Sequence, residues 1–453
     1  MDIKKNDLVT MDITAMTSEG SGIGRAGSLA VFVPMTVPGD VIEAKIVKVL
    51  KNHAFGIIHQ IIEASPSRMD PDCPYFKKCG GCVYRHIGYE SECKVKETRV
   101  RDALERIGGF VDPPLLPIAS AESRNHYRNK AQIPLGLDSE GRLIMGFYAH
   151  NSHRIINAEH CLLQPGIFDV VTDVFRRWFE EYGDTVYNEI SHKGVLRHLY
   201  IRQGESGVMV CVVINADTLK HADKLVKMLT LNVPEIKSII LNTNKEKTNV
   251  ILGKKCRTIY GADFISDRLR GLEFSLSPLS FYQVNRDQAE KLYEKAAEYA
   301  ALTGEENLLD LYCGTGTIGL SMAKKAKKLI GVEVIPQAVE NARDNALKNG
   351  IQNAEFICGD AAKAAEVLKE QGEKPDVIII DPPRKGCEAS LIETISEMSP
   401  SRIVYVSCDP ATLARDLKLF DEKGYKLMEA APFDLFPATA HVETCVLMSR
   451  VEE

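Results

Sequence analysis

The stretch DLYCGTGTIG, residues 310–319, decides the fold of the C-terminal half. It completes an apolar run, NLLDLY, and leads into a segment of helical periodicity. Glycines between a strand and a helix let the backbone approach a ligand closely, and open α/β sheets bind ligands at the carboxyl ends of their strands. Outward from this turn, the chain from about residue 270 alternates strand and helix. KLIGVEV, AEFICGD, DVIIID and RIVYVSCD are strand-like, and IPQAVENARDNALKNG is a helical segment between two of them. Near-continuous apolar strands separated by amphipathic helices predict a doubly wound parallel sheet over residues 270–453. YKLMEAAPFD and HVETCVLMSR add two more strands joined by a loop.

Gly314, Gly316 and Gly319 also fit the dinucleotide fingerprint, so NAD is an alternative ligand on that motif alone. Glu333 ends the next strand, where a carboxylate accepts ribose hydroxyls. Two features favour S-adenosylmethionine over NAD. Asp310 precedes the glycines within the strand, and the fourth strand ends in Asp381-Pro-Pro-Arg384. Both are habits of S-adenosylmethionine methyltransferase sheets, and the D-P-P tetrad resembles those of enzymes that methylate nucleobases.

Cys408, in the S-C-D-P that follows RIVYVS, faces the ligand crevice at a strand end. Uracil C5 is a poor carbon nucleophile. A thiolate adding to C6 makes C5 enolate-like, able to take a methyl group, after which a base must remove the C5 proton to free the enzyme. Glu443 is the first candidate for that base and His441 the second. The plainer reading of Glu443 is an exposed strand-end glutamate.

Residues 1–62 hold about five short strands broken by turns, which predicts a small OB-like β-barrel. Gly20, Gly22, Gly24 and Gly27 are expected to mark tight turns. Residues 69–265 mix strand-like runs with two helical ones, IFDVVTDVFRRWFEEYG and ADTLKHADKLVKMLT, and read as an α+β central domain. Its N-terminal part is a helix over about residues 91–109, a candidate to pack on the catalytic domain. Cys73, Cys79 and Cys82 fall in one loop whose Gly80-Gly81 pair lets the chain turn around a metal site. Cys161 is the preferred fourth ligand, since Cys93 falls within the helix. Zinc and an iron–sulfur cluster both remain open on these residues. The spacing differs from the C-x3-C-x2-C of radical enzymes, which disfavours radical chemistry.

The chain has 453 residues, is 45% hydrophobic and 26% charged, and carries a net charge of −6. This profile excludes disordered and low-complexity classes, and any nucleic-acid contact must rest on local sites. No run is long and apolar enough for a membrane span, and the N-terminus lacks the apolar core of a secretory signal. A cytoplasmic protein with its 12 cysteines unpaired is expected.

In combination, C-x5-C-G-G-C, F-Y-Q-V-N, D-L-Y-C-G-x-G, D-P-P-R, S-C-D-P and H-V-E resemble the iron–sulfur-containing RNA uracil-5-methyltransferases, especially those acting on 23S ribosomal RNA. The resemblance covers essentially the whole chain and implies a TRAM barrel, a cluster-bearing central domain and a catalytic domain. It implies a [4Fe–4S] cluster on Cys73, Cys79, Cys82 and Cys161, of structural or RNA-organising use. It implies S-adenosylmethionine contacts from Gln283, Tyr312, Glu333, Asp360 and Asp381, with Cys408 as nucleophile and Glu443 as base. The product would be 5-methyluridine in large-subunit ribosomal RNA. Rival readings are the T-loop uridine of transfer RNA, a non-catalytic RNA-binding assembly factor and an NAD-dependent or radical redox enzyme. The usual transfer-RNA enzymes of this group lack the barrel and cluster, which favours ribosomal RNA. Phe281 and Tyr282 are candidates to stack on a flipped base. Arg124, His126, Tyr127, Arg128, Asn129 and Lys130 are candidates to touch phosphates.

Overall fold

In the computed structural model, which describes residues 3–450, period-two alternation builds the first unit. Its six strands, from Leu8–Asp12 to His53–Glu63, form one sheet. Along Val41–Val49, Ile42, Ala44 and Ile46 turn inward to meet Met11, Val31, Val33 and Ala54, while Lys45 and Lys48 face solvent. Gly20 and Gly27 turn the chain with φ of 84° and 60°. Gly22 and Gly24 do not: both lie inside the strand Gly22–Ala26. A Cβ on Gly22 would stand 2.0 Å from Thr36 Oγ1, so packing rather than turning demands glycine there.

The central unit is a seven-stranded sheet running from Lys255–Gly261 at one edge to Ile155–Asn157 at the other. Its neighbours are antiparallel except Gly207–Ile214 against Ile236–Thr243, a parallel pair that needs a crossover. The helix Ala222–Asn232 provides it. That helix starts later than its sequence periodicity suggests, because His221 takes a left-handed φ of 53°. Gly166–Tyr182 lays Phe168, Val171, Phe175 and Trp178 on the sheet, all fully buried.

The C-terminal sheet also has seven strands. Numbered along the chain, they lie in the order 3-2-1-4-5-7-6. Asn307–Leu311, Lys328–Glu333, Ala354–Cys358, Val377–Ile380 and Arg402–Ser407 are parallel. Glu443–Arg450 inserts antiparallel between Arg402–Ser407 and Tyr425–Phe433. The order reverses between the first and fourth strands, which opens a crevice at their carboxyl ends. A hairpin, Ile265–Leu269 with Leu272–Leu276, leads into this unit and shares a core with Tyr200, Met209 and Ile240 of the central sheet.

The helix Tyr89–Ala103, continued by a π-turn over Leu104–Gly108, packs on the catalytic sheet's flank through Val100, Ala103 and Leu104. Beyond it, Leu116 N donates to Ala430 O and Ala119 N to Pro432 O, so this segment runs along the outer catalytic strand. Among the described residues no helix is long and apolar enough to cross a membrane.

Candidate active site

The carboxyl edge of the catalytic sheet carries the cofactor-turn and catalytic candidates Asp310, Tyr312, Glu333, Asp381, Cys408 and Glu443. Asp310 sits in the first strand, 1% exposed. Its Oδ2 accepts from Gly319 N at 2.9 Å, closing the glycine turn. Its Oδ1 is buried without a partner, and burial pushes its carboxyl up to about 8. Tyr312 follows with a φ of 66°, a left-handed backbone that costs a non-glycine residue strain. Glu333 accepts from Gly314 N at 3.2 Å and from Ile335 N at 2.8 Å, so its carboxylate stands at the mouth of the turn. Asp360 caps the next helix by accepting from Lys363 N, and its charge is felt by Tyr312. Gln283 comes from the segment before the helix Arg286–Ala300. Tyr293 of that helix reaches Gln283, and its hydroxyl is 3.2 Å from Thr317 Oγ1.

Gly319 is held to glycine by contact. A Cβ there would stand 2.6 Å from Asp310 Oδ2. Gly319→Ala is expected to expel the carboxylate from its bond, at about 1–3 kcal/mol. Calorimetric titration with S-adenosylhomocysteine should then show affinity falling by about tenfold or more; an unchanged affinity would mean the turn relaxes freely.

Opposite the glycine turn lie the acids and the thiol. Asp381 ends the fourth strand, and burial raises its carboxyl to about 7. Cys408 follows the fifth strand and precedes the helix Pro410–Glu422, which Asp409 caps through Ala411 N and Thr412 N. Ser407 pairs with Thr444 across the antiparallel junction, which brings Glu443 beside Cys408. Glu443 is 5% exposed, and burial, then Asp381, push it up to about 8. Cys408 rises to about 11 through burial, then Glu443 and Asp381, while Arg384 opposes them. A thiol and a carboxyl on adjoining strand ends can serve as nucleophile and base.

His441, the second candidate for the base, is lowered to about 4 by desolvation and by Arg384, Arg99, Lys96 and Arg128 around it. That leaves it a much weaker base than Glu443. Tyr282 is 2% exposed and belongs to the core, whereas Phe281 is 62% exposed. Of the basic-aromatic run, Arg124 is committed to a pair with Glu92 at 2.8 Å, and Tyr127 OH donates to Pro437 O. Arg128 and Lys130 carry no side-chain partner among the described residues. Asp310's orphan oxygen, Tyr293 and Arg384 were not legible as functional in the sequence; Asp310 and Arg384 stand in visible motifs, while Tyr293 carries no local signal.

Cys73, Cys79 and Cys82 share one loop, and Cys161 comes from a segment distant in sequence. Cys161 feels the charges of Cys82, Cys79 and Cys73, and burial pushes its thiol up to about 12. Cys82 rises to about 11 for the same first reason. Gly80 N donates to Tyr148 O, docking the loop on the strand Leu143–Tyr148. Arg85 Nη2 is buried without a hydrogen-bond partner, and its guanidinium charge is felt at Cys82. Cys93 is buried in the helix Tyr89–Ala103. Among the described residues no three His, Cys, Asp or Glu side chains form a group that could hold a metal ion.

The strand order and the turn-plus-acid crevice define an S-adenosylmethionine-dependent methyltransferase. The tRNA (uracil-5-)-methyltransferase family matches residues 236–451, and a TRAM domain matches residues 5–58. An uncharacterized RNA methyltransferase of Bacillus cereus is 43% identical over 453 residues, covering 100% of this chain and 98% of that protein. Another, from Clostridium acetobutylicum, is 44% identical over 455 residues, with 100% and 99% covered. Among solved structures, the Pyrococcus abyssi tRNA (uracil-54, C5)-methyltransferase in complex with S-adenosyl-L-homocysteine superposes with a TM-score of 0.77. It is 27% identical, and the match covers 97% of this chain and 100% of that one. The chain belongs to the tRNA (uracil-5-)-methyltransferase family, with an N-terminal TRAM domain, and is an RNA (uracil-5-)-methyltransferase.

Proposed function

We propose that this enzyme methylates C5 of a specific uridine in 23S ribosomal RNA by covalent catalysis. The observation that carries the mechanism is the pairing of Ser407 with Thr444, which sets Cys408 beside Glu443 at the crevice. S-adenosylmethionine, when bound, supplies the methyl group from its sulfonium. Gln283, Tyr312, Glu333, Asp360 and Asp381 would hold it, and the unpartnered Asp310 Oδ1 is a buried acceptor fitting a polar ligand at the turn. Cys408 sulfur adds to uracil C6, making C5 the nucleophile for the methyl group. Glu443 then removes the C5 proton, and the C6–sulfur bond breaks to restore the thiolate. The uridine must leave its stack to reach Cys408.

The cysteine set and its family resemblance favour ribosomal RNA. A second reading, the T-loop uridine of transfer RNA, is favoured by the Pyrococcus abyssi structure, whose match covers 97% of this chain. That coverage must include most of the barrel, so the barrel does not discriminate between the two substrates. The test uses anaerobically purified protein, methyl-labelled S-adenosylmethionine, and unmodified large-subunit ribosomal RNA or bulk transfer RNA, with nucleosides read by mass spectrometry. 5-Methyluridine in ribosomal RNA that vanishes with Cys408→Ala supports the full reading. Label in transfer RNA alone moves the substrate, and no transfer to either overturns the function.

We infer that Cys73, Cys79, Cys82 and Cys161 would hold a [4Fe–4S] cluster. Half-buried thiols that feel one another's charge need a cationic partner to ionise, and a cubane holds each thiolate on its own iron, so the four sulfurs need not converge on a single ion. The unpartnered Arg85 Nη2 is a buried donor beside this set. When bound, the cluster would cross-link the loop to the central sheet. Anaerobic protein is expected to hold about four irons with matching sulfide, and Cys161→Ser to lose them along with the visible absorption. One zinc per chain without sulfide would replace the assignment.

A further inference from the structure

The D-P-P-R tetrad contributes more than Asp381. Arg384 lies in the loop between the strand Val377–Ile380 and the helix Ala389–Met398. Its carbonyl accepts from Thr412 Oγ1 at 3.2 Å, in the first turn of the helix that follows Cys408. Its Nη2 lies 3.4 Å from His441 Nδ1 and 3.3 Å from Nε2. A nitrogen nearly equidistant from both ring nitrogens cannot lie along the lone pair of either. The guanidinium therefore rests against the imidazole as a platform. His441 stands two residues before Glu443. Arg384 is thus tied through its backbone to the helix that follows Cys408, and through its head group to the segment that leads into the Glu443 strand. Among the described residues no carboxylate pairs with Arg384; the neighbouring Glu388 is taken by Lys385 at 3.4 Å.

We propose that Arg384 is a positioning residue for methyl transfer, docked on His441 so that its guanidinium is the cation facing both the Cys408 sulfur and the Glu443 carboxyl. The inference rests on the roles given to those two residues above. The surrounding charges support it. Glu443, Asp381 and Asp409 all disfavour a thiolate at Cys408, and Arg384 opposes them. Asp381 disfavours ionisation of Glu443, and Arg384 again opposes it. Three further cations act on the platform: Arg99, Lys96 and Arg128 join Arg384 in keeping His441 neutral, so the imidazole does not repel the guanidinium. Lys96 itself is already matched by Glu92 and Asp434. Without Arg384, the three acids acting on the Cys408 thiol would lose the cation that opposes them.

The test is the pH profile of Cys408 alkylation by iodoacetamide, followed by peptide mass in the full-length protein without RNA. Arg384→Met is expected to move the profile up by about one pH unit, so that alkylation at a fixed pH slows about tenfold. Arg384→Lys should restore most of the rate, and His441→Ala should shift the profile the same way by less. Binding of S-adenosylhomocysteine reports on folding; if Arg384→Met fails that check, the lysine and His441→Ala variants carry the comparison. Profiles that superimpose on the wild type would overturn the proposal. So would a loss confined to RNA affinity with a shallower salt dependence, which would make Arg384 a phosphate ligand. An Arg384-dependent profile in a protein that methylates no uridine would instead sink the function while leaving the charge relation standing.

Discussion

Glu443→Gln is expected to leave the enzyme joined to its RNA. Glutamine keeps the shape of the side chain but cannot take the C5 proton. Addition of Cys408 and methylation of C5 do not need that base, whereas release of the sulfur does. The variant should therefore accumulate a methylated adduct that survives denaturing electrophoresis as a slow-migrating band. Turnover should fall about 10²–10⁴-fold, the range for losing a positioned base. Cys408→Ala should give no band under any condition. The pH profile provides a second check. A base acts when ionised, and burial with Asp381 raises Glu443 to about 8, so the wild-type rate should climb as pH rises toward that value. Asp381, at about 7, shares the crevice, and the observed values belong to the pair. A Glu443→Gln variant that turns over normally would move the base elsewhere.

Lys96→Met should cost about 3–5 kcal/mol locally, the expected range for orphaning a buried charge. Lys96 is 1% exposed and lies 2.7 Å from Glu92 and 2.6 Å from Asp434. Asp434 also accepts from Tyr89 OH, and Glu92 accepts from Ala438 N. Arg99 donates to Ala440 O at 2.6 Å. Val83 N and Tyr84 N, directly after Cys82, both donate to Ala438 O. Residues 434–441 lead into Glu443, so the helix Tyr89–Ala103 and the cysteine loop together hold the approach to the proposed base. Removing the ammonium would leave Glu92 and Asp434 facing each other, with Arg124 on one side only. Hydrogen exchange over residues 434–441 should accelerate in the variant and methyl transfer should fall with it. Adding Glu92→Gln and Asp434→Asn should recover part of the protection. Exchange unchanged from the wild type would show that the loop is held by its backbone bonds alone.

Much of the catalytic unit was legible locally. Apolar runs of strand length, separated by amphipathic helices, encode a parallel sheet because both its faces are covered. The glycine turn and the D-P-P and S-C-D-P motifs lie at strand ends for the same reason, and the strands carry them to one edge. The barrel's alternation was equally readable, as were the turns at Gly20 and Gly27. Gly22 and Gly24 were not, since a glycine required by a neighbour such as Thr36 looks the same in sequence as one required by a turn. Arg124 and Tyr282 misled in a similar way. A basic residue in a basic run suggests solvent and phosphate, yet Arg124 is drawn inward by Glu92, a partner 32 residues away.

The sequence by itself determined the kinds of element, the cofactor turn and the residue types suited to uracil chemistry, because periodicity and short motifs act over a few residues. Tertiary structure alone decided that Glu443 meets Cys408, that Arg384 rests on His441 and that Lys96 reaches Asp434, 338 residues away. Those meetings depend on an antiparallel strand inserting beside a parallel one and on a helix from the central region closing over the sheet. Such choices are settled by the packing of whole faces, and no window of local sequence contains them.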